Sequence, residues 1–148
     1  MTDQPETGRI EADEHILPVR VYYEDTDFTG VVYHANYLKF FERGRSDFLR
    51  FVGMSHEKLS QEENPLAFAV ARMEIDFKRP AKIDDALKVH TRFLGAKGAR
   101  LIFDQNIFRD QTLLCAAKVT IVQINMDGAL IRPTESLLKA WGQFQFTK

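Results

Sequence analysis

Cysteine occurs once in the 148 residues, which excludes an intrachain disulfide and any cysteine-rich zinc site. Its setting, Leu113-Leu114-Cys115-Ala116-Ala117, reads as a small buried apolar residue, and the chain is expected in a reducing compartment, the cytoplasm. Histidine occurs four times, as His15, His34, His56 and His90, without an H-x-x-x-H pair, so neither a metal nor another cofactor is expected. No apolar run approaches the roughly 18 residues of a membrane helix, and the start lacks the basic end and apolar stretch of a signal peptide. Neither G-x-x-x-x-G-K-[ST], G-x-G-x-x-G nor G-x-S-x-G occurs, which leaves nucleotide hydrolysis, dinucleotide redox chemistry and the serine-elbow hydrolases without support. Charge of one sign is also missing. Twenty basic residues face 21 acidic ones, so a duplex-binding protein is not expected. Lys97-Gly98-Ala99-Arg100-Leu101-Ile102-Phe103 loosely matches an RNA-binding strand, but Ala99 stands where a stacking aromatic is needed.

What is present is a single-domain length with enough chain to bury one core. Residues 1–14 are polar and aperiodic, and their five acidic residues against Arg9 leave the tail at −4 and the remainder at +3. They read as a disordered acidic arm before one domain over 15–148. Ile16 to Tyr23 is rich in β-branched and aromatic residues and predicts a strand. From Tyr37 the period changes to about 3.6, with Tyr37, Phe40, Phe41, Gly44, Phe48, Phe51 and Val52 on one face. Asn36 is a candidate cap, and Gly44 would let the helix approach a sheet closely. A short second helix is expected between Ser55 and Asn64. Four strands follow, over 66–78, 87–93, 100–109 and 112–125, with Gly95 to Gly98 as a hairpin connection, and a last short helix is capped by Thr134. The fold class is α+β: a curved, mostly antiparallel five-stranded sheet wrapped around one long helix.

Chemistry concentrates between Tyr22 and Tyr37. Asp25 and Asp27 sit two apart beside Gly30, in a turn that leads into the helix. One reading makes both aspartates turn formers bonded to local N–H groups. The other uses position: a helix start presents unpaired N–H groups that can hold a developing oxyanion, and a carboxylate beside it completes a hydrolytic pair.

Tyr22-Tyr23-Glu24-Asp25-Thr26-Asp27, Gly30-Val31-Val32-Tyr33-His34-Ala35-Asn36-Tyr37 and Phe41-Glu42-Arg43-Gly44-Arg45, with Phe77-Lys78-Arg79-Pro80-Ala81 and Asp84-Asp85-Ala86-Leu87, resemble the acyl-CoA thioesterases of the 4-hydroxybenzoyl-CoA thioesterase type, and most of all the YbgC-type branch often linked to the Tol-Pal envelope system. The resemblance runs from about Val19 to Pro133. It implies a hot-dog fold assembled as dimers and dimers of dimers, with acyl-CoA as substrate; acyl carrier protein is a further candidate partner. It maps the catalytic carboxylate to Asp27 and the oxyanion donor to the backbone N–H near His34, the two coming from different chains of a dimer. The His34 side chain has two readings, a polar contact that helps water or the sulfur leave, or a structural residue whose backbone alone matters. Substrate contacts are expected from Phe28, Gly30, Val31, Tyr33, Asn36, Tyr37, Phe68 and Val70, and contacts with coenzyme A phosphates from Lys97 and Arg100. Phe28-Thr29 departs from the small residues usual after the second aspartate, so the ring of Phe28 is expected to restrict the acyl pocket. Glu42 matches a carboxylate position of another hot-dog branch and is read here as an ion-pair or interface residue. The rival from another class is a non-catalytic module that holds acyl-CoA or acyl carrier protein.

Overall fold

Alternating apolar and polar residues build five long strands where the pattern predicts them. In the computed structural model, which describes residues 2–142, the order is β1 (Arg9–Glu11), β2 (Glu14–Arg20), α1 (Asn36–Phe51), α2 (His56–Ser60), β3 (Leu66–Phe77), β4 (Ala86–Lys97), β5 (Arg100–Arg109), β6 (Thr112–Asn125), β7 (Leu130–Ile131) and α3 (Glu135–Gly142). The last six residues of the expected domain lie outside the described residues. All pairings are antiparallel, in the order β1-β2-β4-β5-β6-β3, with β7 also on β6.

The sheet has seven strands rather than the expected five. The two additional strands are too short to carry a period. β7 exists because the Asn125 carboxamide accepts from the N–H groups of Asp127 and Ala129, folding the chain back onto β6. β1 lies within the stretch read as a disordered arm: Arg9 to Glu11 pair with β2 through a turn at Ala12 and Asp13, both at positive φ, while residues 2–8 form no strand or helix. The arm is held by side chains as well as by the ladder. His15 Nε2 donates to the Thr7 carbonyl at 2.8 Å, and Glu14 accepts from His90 Nδ1 at 2.7 Å and from Arg92 at 2.8 Å. Gly95 belongs to β4, where the register shifts between Phe93 and Gly95, and the hairpin is shorter than predicted.

The buried face of α1 carries Tyr37, Phe40, Phe41, Gly44, Phe48 and Leu49 against the inward residues of the sheet. Each fully buried phenylalanine contributes roughly 1.5–3 kcal/mol. Asp47 pairs with Arg50, while the Arg43 guanidinium lies over the Phe40 ring. Thr134 caps α3 as expected, its hydroxyl accepting from the Leu137 N–H. Gly44 is where helix and sheet touch: a Cβ there would stand 2.7 Å from Val89 Cγ1 and 3.0 Å from Thr91 Oγ1. Gly44→Ala gains helix propensity yet forces β4 outward, so it is expected to destabilise by about 1–3 kcal/mol. An unchanged urea midpoint would show that the contact yields freely.

His15 gives the fold a pH dependence of known sign. Its ring is buried against Phe48 and Phe51, its Nδ1 has no partner among the described residues, and Asp47 is the charge that favours protonation. Burial holds the imidazole below its ordinary value despite the Thr7 bond and Asp47. The unfolded chain therefore takes up a proton first. This stability is whole above about pH 6.5 and is lost as pH falls from there through the lower folded value. Between about pH 7 and pH 5 the wild type should lose more thermal stability than His15→Gln, and equal losses would place the titration elsewhere.

Candidate active site

The segment after β2 folds into a small hairpin rather than continuing as strand. Tyr23–Asp25 form a 3-10 turn, the Asp27 N–H donates to the Val31 carbonyl, and the Tyr33 N–H donates to the Asp25 carbonyl, both at 3.0 Å. Gly30 closes the turn at φ +84°, a conformation glycine adopts without penalty. The hairpin is stitched to the loop before β4 by Val31 pairing with Lys82 and by the Ile83 N–H on the Gly30 carbonyl.

The two aspartates of this hairpin have different surroundings. Asp25 is buried and its carboxylate accepts from the Tyr22 N–H at 2.8 Å, the turn-forming role. Asp27 is fully exposed; its Oδ1 accepts from the Thr29 hydroxyl at 2.5 Å and the Thr29 N–H at 2.9 Å. Those two bonds, the hydroxyl first, hold the Asp27 carboxyl below the ordinary carboxylate value.

α1 starts where the hairpin ends, and its cap differs from the expected one. Asn36 is the first helical residue, and its carboxamide donates to the Asp25 carbonyl at 2.8 Å instead of turning back on the helix. The cap position is Ala35, which has no side-chain acceptor to offer. Among the described residues the main-chain N–H groups of His34 and Ala35 take no part in the hydrogen bonds of this turn, whereas those of Asn36, Tyr37 and Leu38 do. Free N–H groups at a helix start are what an oxyanion requires.

Beside them opens a cleft of about 250 Å³ lined by Val32, His34, Tyr37, Phe77, Lys78, Arg79 and Pro80. Phe77 meets His34 and Tyr37 edge to face, and the Tyr37 hydroxyl accepts from the Ala81 N–H at 2.9 Å. Burial raises the Tyr37 phenol above its ordinary value, which suits a structural hydroxyl. The half-exposed Tyr33 ring lies tilted against His34, with the ring centroids 4.6 Å apart. Phe77, Lys78, Arg79 and Pro80 had no assigned role in the sequence, although the proline that stops an alternating strand marks the segment.

Asp27, Gly30, Val31, Tyr33, His34, Asn36 and Tyr37 thus belong to one hairpin and one helix start of the same chain. Within one chain, Asp27 and the helix start at His34 are seven residues apart on one continuous segment. Phe28 is fully exposed at the hairpin tip and is not among the residues that line the cleft. Phe68 and Val70 lie elsewhere: they line a second cavity of about 150 Å³, with Glu42, Arg45, Ser46, His56 and Trp141. Along β3, Val70 stands seven residues from Phe77, or roughly 23 Å. Lys97 and Arg100 sit at the same distant end, since Arg100 and Ala69 both pair with Val122 while Phe77 pairs with Cys115. In the second cavity the Ser46 hydroxyl donates to Glu42 at 3.0 Å and lies 2.9 Å from His56 Nε2, and the Glu42 charge acts on Arg45. Cys115 is buried, its thiol pushed up to about 12 by desolvation, and it is inert as a nucleophile.

A family model described as thioesterase-like superfamily matches residues 21–142. The chain belongs to that superfamily. Among its members it is similar to the acyl-CoA thioesterase YbgC of Haemophilus influenzae, 45% identical over 110 residues that make up 74% of this chain and 80% of that protein. The acyl-CoA thioester hydrolase YbgC of Escherichia coli is 43% identical over 109 residues, 73% of this chain and 80% of its own length. A crystal structure of a probable thioesterase from Bartonella henselae superposes with a TM-score of 0.80 at 46% identity, covering 82% of this chain and 99% of the other. The superfamily's hot-dog architecture is thus present, with the antiparallel sheet and central helix described above. No helix among the described residues is long and apolar enough to cross a membrane.

Proposed function

We propose that the protein hydrolyses acyl-CoA thioesters to a carboxylic acid and free coenzyme A at the cleft beside the start of α1. The observation that carries this reading is the pair of N–H groups at His34 and Ala35 that have no partner among the described residues, at the end of the hairpin that holds an ionised, exposed Asp27. The thioester oxygen sits on those N–H groups as it becomes an oxyanion. Asp27 either takes a proton from the attacking water or attacks the carbonyl itself to form an anhydride that water then opens. In both routes the C–S bond breaks and the thiolate leaves. A thiolate with a pKa near 8.5 needs no strong general acid, so a carboxylate and an oxyanion hole suffice. The similarity to YbgC proteins supports acyl-CoA as the substrate class. Free-thiol release from short, long and aromatic acyl-CoAs tests the reading, and binding without turnover across that panel would leave a carrier module instead.

The working unit is a two-fold pair of chains. β3 is a twelve-residue edge strand on which Val70 and Phe77 are half-exposed, and an unpaired edge of this length and polarity invites another strand. A two-fold axis near the strand midpoint, between Ala71 and Arg72, pairs β3 with its copy in a self-complementary way. It also brings the Phe68–Val70 end of one chain beside the Phe77 end of the other. The roughly 23 Å between them in one chain is then bridged across the pair, and the second cavity of one chain receives the acyl group cleaved at the helix start of the other. Phe28, exposed beside Asp27, faces the incoming acyl-CoA. Phe28→Ala should therefore change the ratio of rates between short and long acyl chains more than it changes the rate on the best substrate. A uniform effect across the panel would remove Phe28 from the acyl path.

A further inference from the structure

The chain leaves β3 irregularly. After Phe77 pairs with Cys115, the N–H groups of Lys78 and Arg79 both donate to the Leu114 carbonyl, at 2.8 and 3.0 Å. Two residues opposing one is a β-bulge, which breaks the alternation that would otherwise send neighbouring side chains to opposite faces. Here both Lys78 and Arg79 line the cleft at the helix start, with His34 on the same wall.

Their charges are also uncommitted. Arg9, Arg50, Arg72, Arg92 and Arg109 each hold a carboxylate, Arg20 the Asp84 carbonyl and Arg45 the Gln105 carboxamide. Among the described residues neither Lys78 nor Arg79 has an ion pair or a side-chain hydrogen bond, although Asp85 lies close by in sequence and is taken by Arg109 and the Lys82 N–H. Two exposed cationic residues, one with a guanidinium fork and one with an ammonium, thus line a cleft whose remaining lining is largely apolar.

Resting on the hydrolase reading, we propose that the bulged pair Lys78–Arg79 is an anion subsite in the wall of the catalytic cleft, holding a phosphate or carboxylate oxyanion carried by the substrate. It is distinct from Lys97 and Arg100, which lie roughly 23 Å further along the sheet in the same chain. The anion has two sources, a phosphate of coenzyme A or a carboxylate on the acyl group, and one set of substrates separates them.

Three thioesters of the same acyl length are compared: an acyl-CoA, the neutral N-acetylcysteamine thioester of that acid, and the N-acetylcysteamine thioester of the matching dicarboxylic acid. In Arg79→Gln, and further in the double variant with Lys78→Gln, kcat/KM on at least one anionic thioester should fall about tenfold or more beyond the fall on the neutral one. A selective loss on acyl-CoA assigns the phosphate, and a selective loss on the dicarboxylic thioester assigns the acyl carboxylate. Arg79→Lys should restore much of the difference, which a purely structural residue would not. Equal losses on all three substrates, or no loss on either anionic one, overturns the subsite. Calorimetric binding of coenzyme A and of the free dicarboxylate to wild type and Arg79→Gln keeps the two readings separate. If the wild type hydrolyses nothing, weaker binding of either by the variant still upholds the subsite, and unchanged binding of both rejects it.

Discussion

Asp27→Asn is expected to lower thioester turnover by about 10² to 10⁴ while leaving the thermal midpoint within a degree or two. The carboxylate is fully exposed and its bonds are confined to Thr29 in its own turn, so removing its charge costs the fold little. The proposed chemistry loses the carboxylate that serves as its base or nucleophile. Asp25→Asn should behave in the opposite way. Asp25 is buried and holds the Tyr22 N–H, so its substitution weakens the hairpin and with it the register of Tyr33 and Asn36 on the Asp25 carbonyl. Stopped assays of thiol release on folded protein, checked by circular dichroism, separate the two. Near wild-type turnover in Asp27→Asn would remove Asp27 from the mechanism.

The same residue predicts a pH profile for the free enzyme. Because the Thr29 hydroxyl and N–H hold its carboxyl below the ordinary carboxylate value, Asp27 stays ionised as pH falls through the usual carboxylate range. The acid limb of kcat/KM should therefore lie below the position of an unassisted aspartate, and Thr29→Val, which removes the stronger of the two bonds, should move that limb upward.

How far this was legible in the sequence follows from how each feature is encoded. The long strands and α1 are written in periodicity, and Gly44 in the aromatic face announces close contact with a sheet before any neighbour is known. β1 and β7 are encoded by single turns and a few backbone bonds, which leave no period to read. The turn from Asp25 to Gly30 was recognisable by its residues, and the resemblance singled out Asp27, but what sets the surroundings of the two aspartates apart was not. It depends on which N–H each carboxylate meets, a result of backbone path rather than residue type. The absence of a side-chain cap at Ala35 was hidden by Asn36, a good capping residue that the fold spends on the Asp25 carbonyl instead. Lys78 and Arg79 would have been assigned to opposite faces by strand alternation. Only the shared Leu114 carbonyl shows otherwise.

Mixing two inactive variants is expected to recover activity. In the proposed pair each site takes Asp27 and the helix start from one chain and the Phe68–Val70 wall from the other. Asp27→Asn removes the first contribution and Val70→Arg the second, by placing a charge in a largely apolar cavity. Neither variant alone should turn over. After exchange, a mixed pair carries one site with both contributions intact and one with neither, so equal mixing should return about a quarter of the wild-type activity. Val70 is half-exposed on the edge strand, so its substitution is also a threat to pairing, and light scattering on each variant must show that the pair persists. Should Val70→Arg dissociate the pair, Phe68→Ala takes its place, since Phe68 is half-buried against Trp141 and does not rely on the free edge. No recovery from stable, exchanging pairs would confine each site to one chain. A monomer by light scattering with full activity would remove the partner altogether, leaving the exposed β3 edge to be explained by another contact.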